Sequence, residues 1–281
     1  MLPGPGPDEQ GPAAVGSEQV AAAAAEANCG WTGAGCRSRS RSQLRSDRSG
    51  LPRPQPKPAA ARAQVGGRYR RAHLRTARGH DSRQLRHADP VSPSTQLHLD
   101  RPGRTPALIG LELGDITTMR ADAIVNAANA ALAGGGGVDG AIHRAAGPEV
   151  MAELRSRYDG CPTGNAVITG SGRLAQRGVK WVVHAVGPVW FGGRRNEEER
   201  LRSAYLAALH LADEAGAVSV ALPAISCGVY GYPLREGSAV ALRAVRDGLA
   251  AALHLERATF VLYSDDTYSA FATALAELAG R

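Results

Sequence analysis

Four consecutive glycines, Gly134 to Gly137, stand between a short apolar stretch and a segment with helical spacing. Such a run costs backbone entropy and supplies no side chain to pack. Its use is to bring backbone N–H groups close to a ligand. The helix expected to begin directly after it has free N–H groups and positive potential in its first turn, so run and helix together make a cradle for a diphosphate. No Gly-Lys-Ser/Thr follows, which excludes a Walker loop. A Rossmann fingerprint also fits poorly, because the glycines follow a polar turn, Asn126-Ala127-Ala128-Asn129, and an acid, Asp139, stands at the helix start. The bland alternative is a flexible linker, against which that acid argues.

Around this run the chain alternates between two periods. Apolar stretches over 107–113, 123–125, 166–169, 180–186, 218–222 and 258–263 read as strands. Helical spacing covers 138–157, with a bend at Gly147-Pro148, and 196–215, 234–253 and 266–278. Alternating strands and helices predict a largely parallel sheet with helices on both faces. Ligands of such folds bind outside the carboxyl ends of the strands, and the polar and Gly-rich segments fall at those ends.

Residues 1–104 are of another kind. They hold an alanine run, an Arg/Ser alternation and a Pro-rich stretch, with few branched apolar residues to offset chain entropy. They carry 17 Lys and Arg against 8 Asp and Glu, a net of +9, while residues 105–281 carry 16 against 18, a net of −2. The basicity of the chain therefore belongs to a front extension, expected to be disordered, and the folded body offers no general electrostatic case for nucleic acid. Any nucleic-acid contact would run through the extension. The abrupt change near Pro106 also admits a start site assigned too far upstream. Cys29 and Cys36 lack the second pair that a zinc site requires, so no metal is expected. No apolar run approaches membrane-spanning length, and the first residues lack the order of a signal peptide. A cytoplasmic protein is the expectation.

A second Gly-containing loop, Pro223 to Pro233, follows another strand and leads into a helix. Together the segments Gly-Asp-Ile-Thr (from Gly114), Ala-Ile-Val-Asn-Ala-Ala-Asn (to Asn129), the glycine run through Gly147, His184 to Trp190, and Pro-Ala-Ile-Ser-Cys-Gly-Val-Tyr-Gly-Tyr-Pro (from Pro223) resemble the macrodomain family, in its MacroD-type branch. The resemblance covers nearly all of 105–281, in the right order, and says nothing of 1–104. It implies a three-layer α/β/α macrodomain with a mixed central sheet.

The resemblance also implies roles. Asp115 would accept from an adenine amino group, with Ile116 donating from its backbone; an N-cap role for Asp115 is the alternative. Asn129 would bond the distal ribose. Gly137, Val138 and Asp139 would form one phosphate-side loop, and Ser226, Cys227, Gly228, Val229 and Tyr230 the other. Asp139 would orient or deprotonate the attacking water. His143, one turn on and on the same face, would tune it or be a partly buried histidine satisfied by backbone. Tyr263 would stack on adenine or belong to the core. Asn126 is readable as an Asx-turn residue, and His184 and Trp190 as packing or lid residues. At Cys227 the family more often has a hydroxyl, and a thiol there would be open to oxidation.

The activity so implied is hydrolysis of ADP-ribose esters: O-acetyl-ADP-ribose, and mono-ADP-ribose on Asp or Glu side chains of proteins. No cofactor is implied. The rival is a reader that binds ADP-ribose without cleaving it; readers of this fold often lack the acid at the Asp139 position.

Overall fold

Alternate residues of the central strands fall into two separate apolar clusters, which is the period-2 pattern of a sheet covered on both faces. In the computed structural model, which describes residues 95–280, Val125, Val183, Val220 and Phe260 lie in one cluster and their neighbours Ile124, Val182, Ala221 and Val261 in the other. The strands are β1 (Gln96–Leu99), β2 (Ala107–Leu113), β3 (Ala123–Ala127), β4 (Ala166–Gly170), β5 (Trp181–Ala185), β6 (Ser219–Leu222) and β7 (Arg257–Leu262). They form one sheet in the order β1-β2-β7-β6-β3-β5-β4. The inner pairs are parallel, whereas β1 on β2 and β4 on β5 are antiparallel, so the sheet is mixed.

The helices are α1 (Gly137–Ala146), α2 (Pro148–Arg157), α3 (Glu197–Glu214), α4 (Leu234–Ala251) and α5 (Asp265–Ala279). Leu201, Tyr205 and Leu209 of α3, Val240 and Val245 of α4, and Phe271 and Leu275 of α5 pack on one face of the sheet. Ile142 of α1 and Val150 of α2 pack on the other. The expected bent helix over 138–157 is thus two helices. Gly147, at φ 87°, ends α1 by donating to the carbonyl of His143, and Pro148, which has no N–H to lose, opens α2.

The expected boundary at residue 105 falls too late. Gln96–Leu99 pairs with β2, Leu99 opposite Ala107. Behind it Arg101, only 7% exposed, threads its guanidinium under the end of α4. It donates to the carbonyls of Thr105, Leu249, Ala252 and Leu255 at 2.7 to 3.3 Å, closing carbonyls that a helix C-terminus leaves open. The residues expected as an extension, up to 94, lie outside the described residues, as do Cys29, Cys36 and the Arg/Ser stretch. Among the described helices none is long and apolar enough to cross a membrane.

Candidate functional site

The carboxyl ends of β2, β3, β6 and β7 open into one cleft of about 760 Å³. Of the residues singled out from the sequence, Asp115, Ile116, Asn129, Gly137, Val138, Asp139, Ser226 through Tyr230 and Tyr263 all line it. His143 does not line it; it touches Asp139, Nε2 to Oδ1 at 3.3 Å.

Each end of the cleft has its own chemistry. At the β2 end the Asp115 carboxylate caps a short 3-10 turn, Ile116–Thr118, its Oδ1 accepting from the Thr117 N–H at 2.9 Å and the Thr117 hydroxyl at 2.8 Å. Capping uses one carboxylate oxygen and leaves the other able to accept, so the two readings of Asp115 coexist. Tyr263 stands at this end 87% exposed, which excludes the core reading and leaves its ring face open.

In the middle two sets of backbone donors occur together. The Gly-rich loop runs into α1, whose cap, Gly136, offers no side chain, so the N–H groups of the first turn lack intrahelical acceptors. Asn129 braces this loop: its Nδ2 donates to Gly134 O at 2.9 Å and its Oδ1 accepts from Ala133 N. In the second loop Ser226 adopts φ 66°, and the N–H groups of Gly228, Val229 and Tyr230 donate to no acceptor among the described residues. Gly187 packs so close to Ser226 that a Cβ would fall 2.3 Å from its Oγ. Donors of this kind, in two loops lining one cleft, suit a diphosphate.

Cys227 departs from its expected reactivity. A Cβ added at Gly237 would fall 2.7 Å from the thiol, so the sulfur is tucked against the first turn of α4. Burial pushes that thiol up to about 12, so the thiolate that oxidants attack is scarce at neutral pH.

At the far end Asp139 is buried. Burial by itself would raise its carboxyl, but hydrogen bonds from His143 and Asn126 outweigh that and hold it below the usual carboxylate range. Asp139 Oδ1 takes both bonds, that from Asn126 Nδ2 at 2.6 Å. Its Oδ2 is buried with no partner. Asn126 was the residue the sequence hid. It is no turn residue; it lies inside β3, fully buried, opposite His184 of β5. A polar residue within an otherwise apolar strand was the available signal, and the same signal marks His184 in Trp-Val-Val-His-Ala. Trp190 packs on Tyr232, ring centroids 4.5 Å apart, in keeping with a packing role. Among the described residues no group of three or more His, Cys, Asp or Glu is placed to hold a metal ion.

Fold and cleft define an α/β module with a mixed sheet and two loops of backbone donors outside its strand ends. A Macro domain family model matches residues 125–241. A macro domain-containing protein of Caldanaerobacter subterraneus is 49% identical over 173 residues, 60% of this chain and 97% of that one. A protein of Citrobacter rodentium named O-acetyl-ADP-ribose deacetylase is 50% identical over 157 residues, 55% of this chain and 87% of that one. A mutant macrodomain of Oceanobacillus iheyensis, solved with ADPR, superposes with a TM-score of 0.57 at 35% identity, covering 66% of this chain and 100% of that one. The chain belongs to the macrodomain family.

Proposed function

We propose that this macrodomain hydrolyses esters of ADP-ribose, O-acetyl-ADP-ribose among them, and removes mono-ADP-ribose from Asp and Glu side chains. The observation that carries the reading is Asp139: a carboxyl held below the usual carboxylate range, in the first turn of α1, with one oxygen accepting two hydrogen bonds and the other unpartnered. Relatives named for the deacetylase reaction and a neighbour solved with ADPR support it.

In this reading adenine lies between Tyr263 and Asp115. The diphosphate takes the N–H groups of both loops, and the distal ribose reaches Asn129 and Asp139. Asp139 Oδ2 accepts a hydrogen bond from water and aims its oxygen at the acyl carbon. That oxygen bonds to the carbon, the bond from carbon to the ribose oxygen breaks, and the proton ends on that ribose oxygen. The products are ADP-ribose and the free acid. A carboxyl held low is a weak base, so Asp139 contributes orientation more than proton abstraction.

The test is hydrolysis of O-acetyl-ADP-ribose, and of a protein mono-ADP-ribosylated on glutamate, by the full chain beside Asp139→Ala. Turnover by the wild type and a loss of about 100-fold in the variant are expected. ADP-ribose binding by both proteins with turnover by neither would replace the hydrolase with a reader.

A further inference from the structure

Asp139 is the first member of a buried chain of hydrogen bonds that crosses three strands. Asn126 Nδ2, 2.6 Å from Asp139 Oδ1, is also 3.1 Å from His184 Nδ1. His184 Nε2 is 3.0 Å from the hydroxyl of Thr169 on β4. Asn126, His184 and Thr169 are all fully buried.

One charge fixes every proton in this chain. An ionised carboxylate only accepts, so the Asn126 nitrogen, not its oxygen, faces Asp139. That same nitrogen meets His184 Nδ1, which must therefore present its lone pair. The ring proton is then on Nε2 and is donated to the Thr169 hydroxyl. Thr169 passes its own proton to a backbone carbonyl, with Gly170 O at 3.0 Å and Val182 O at 3.4 Å. Burial, with the nearby His143 adding to it, pushes the His184 ring down to about 3, so the Nδ1 lone pair persists through neutral and mildly acidic pH.

His184 also touches the second donor to Asp139. Its ring stacks on His143, centroids 5.7 Å apart at 24°. Both groups that occupy Asp139 Oδ1 are thus held by one residue, Asn126 by a hydrogen bond and His143 by stacking. Asp139 Oδ2 is left beside Gly135, where a Cβ would stand 3.2 Å away.

We infer that His184, held as its Nε2–H tautomer between the Asn126 amide and the Thr169 hydroxyl, is a positioning residue for Asp139: it decides which carboxylate oxygen is occupied and which is left for the reacting water. This rests on the hydrolase reading above. The competing role is packing alone, since His184 fills the core between β3 and β4.

His184→Phe keeps the ring and the stack but removes the acceptor. His184→Asn puts an acceptor back where Nδ1 was. The expected result for ester hydrolysis by the full chain is a fall in kcat of about tenfold in His184→Phe, with KM and ADP-ribose affinity within about twofold of wild type, as for a misaligned group that binding does not use. His184→Asn should recover most of that loss. Thr169→Val, which frees the ring to change tautomer, should lower kcat in the same direction and serves if His184→Phe does not fold. Unchanged kcat in the folded variants would overturn the inference. So would a joint fall in kcat, affinity and thermal stability that His184→Asn fails to repair.

A second readout separates this inference from the hydrolase reading. Carbon NMR titration of the Asp139 carboxyl in the ligand-free protein should show its midpoint raised by about one pH unit in His184→Phe, because Asn126, released from Nδ1, no longer holds its bond to the charged form. That midpoint can be measured whether or not the wild type cleaves esters. An unchanged midpoint would remove the relay even from an active hydrolase.

Discussion

Gly140, in the first turn of α1, packs so tightly on Gly135 that a Cβ would fall 2.7 Å from the Gly135 carbonyl oxygen. The helix and the glycine run before it are therefore a single fitted piece. Gly140→Ala forces the loop outward, with a cost of about 1–3 kcal/mol expected from overpacking. Urea unfolding should show that loss and calorimetry a weaker affinity for ADP-ribose. Full stability with unchanged affinity would mean that the loop yields freely.

Tyr263 is exposed and makes no contribution to the core, so Tyr263→Ala should leave thermal unfolding where it is. Affinity for ADP-ribose should fall about tenfold, in line with ~1–3 kcal/mol per stacked base. Affinity for ribose 5-phosphate, which has no base, should not change. If both ligands weaken equally, the tyrosine acts on the loop and not on adenine.

Arg101 holds the end of α4 through charged hydrogen bonds to four carbonyls. Arg101→Ala leaves buried acceptors open and is expected to lower unfolding free energy by about 3 kcal/mol. A chain begun at residue 105 loses β1 as well and should be less stable still. Denaturation of both variants beside the wild type checks the order.

The fold should weaken in mild acid on account of His184. In the folded chain this ring stays neutral down to about 3, against an ordinary value of 6.5. The unfolded chain takes up the proton first. His184 therefore costs nothing above about pH 6.5 and subtracts about 1.4 kcal/mol for each pH unit below it, until the folded ring itself titrates. The depressed carboxyls of Asp139 and Asp122 act lower, their stabilising effect being lost only as pH falls through the acid range below 3.8. Between pH 6 and pH 4.5 the stability of His184→Phe should fall less steeply than that of the wild type. Parallel slopes would show that His184 accepts a proton in the folded state.

Much of this was readable in the sequence because it is local. The period-2 and helical patterns gave the strands from 107 onward, and the four-residue spacing of Asp139 and His143 gave their contact. Two things were not local. Asn126 and His184 meet because β3 pairs with β5 in a register that puts one opposite the other, and nothing near either residue encodes that pairing. Asn126 also stood one short step from Asn129, in a segment whose composition suits a turn. The strand Gln96–Leu99 is only four residues long at a sheet edge, too short for its alternation to stand out. Arg101 looked like one more charge in a basic stretch, because the carbonyls it serves lie far along the chain.

The unpartnered oxygen of Asp139 bears on how an inhibitor of this cleft should be drawn. Both hydrogen bonds from the protein go to the other oxygen, so a compound that brings a hydroxyl or amide hydrogen here adds a charge-assisted bond that no side chain already supplies. The oxygen that Asn126 and His143 already occupy offers no such gain. Selectivity between compounds of equal size should therefore follow the direction of one donor, and a compound whose donor is methylated should lose more affinity than the removed contact area accounts for.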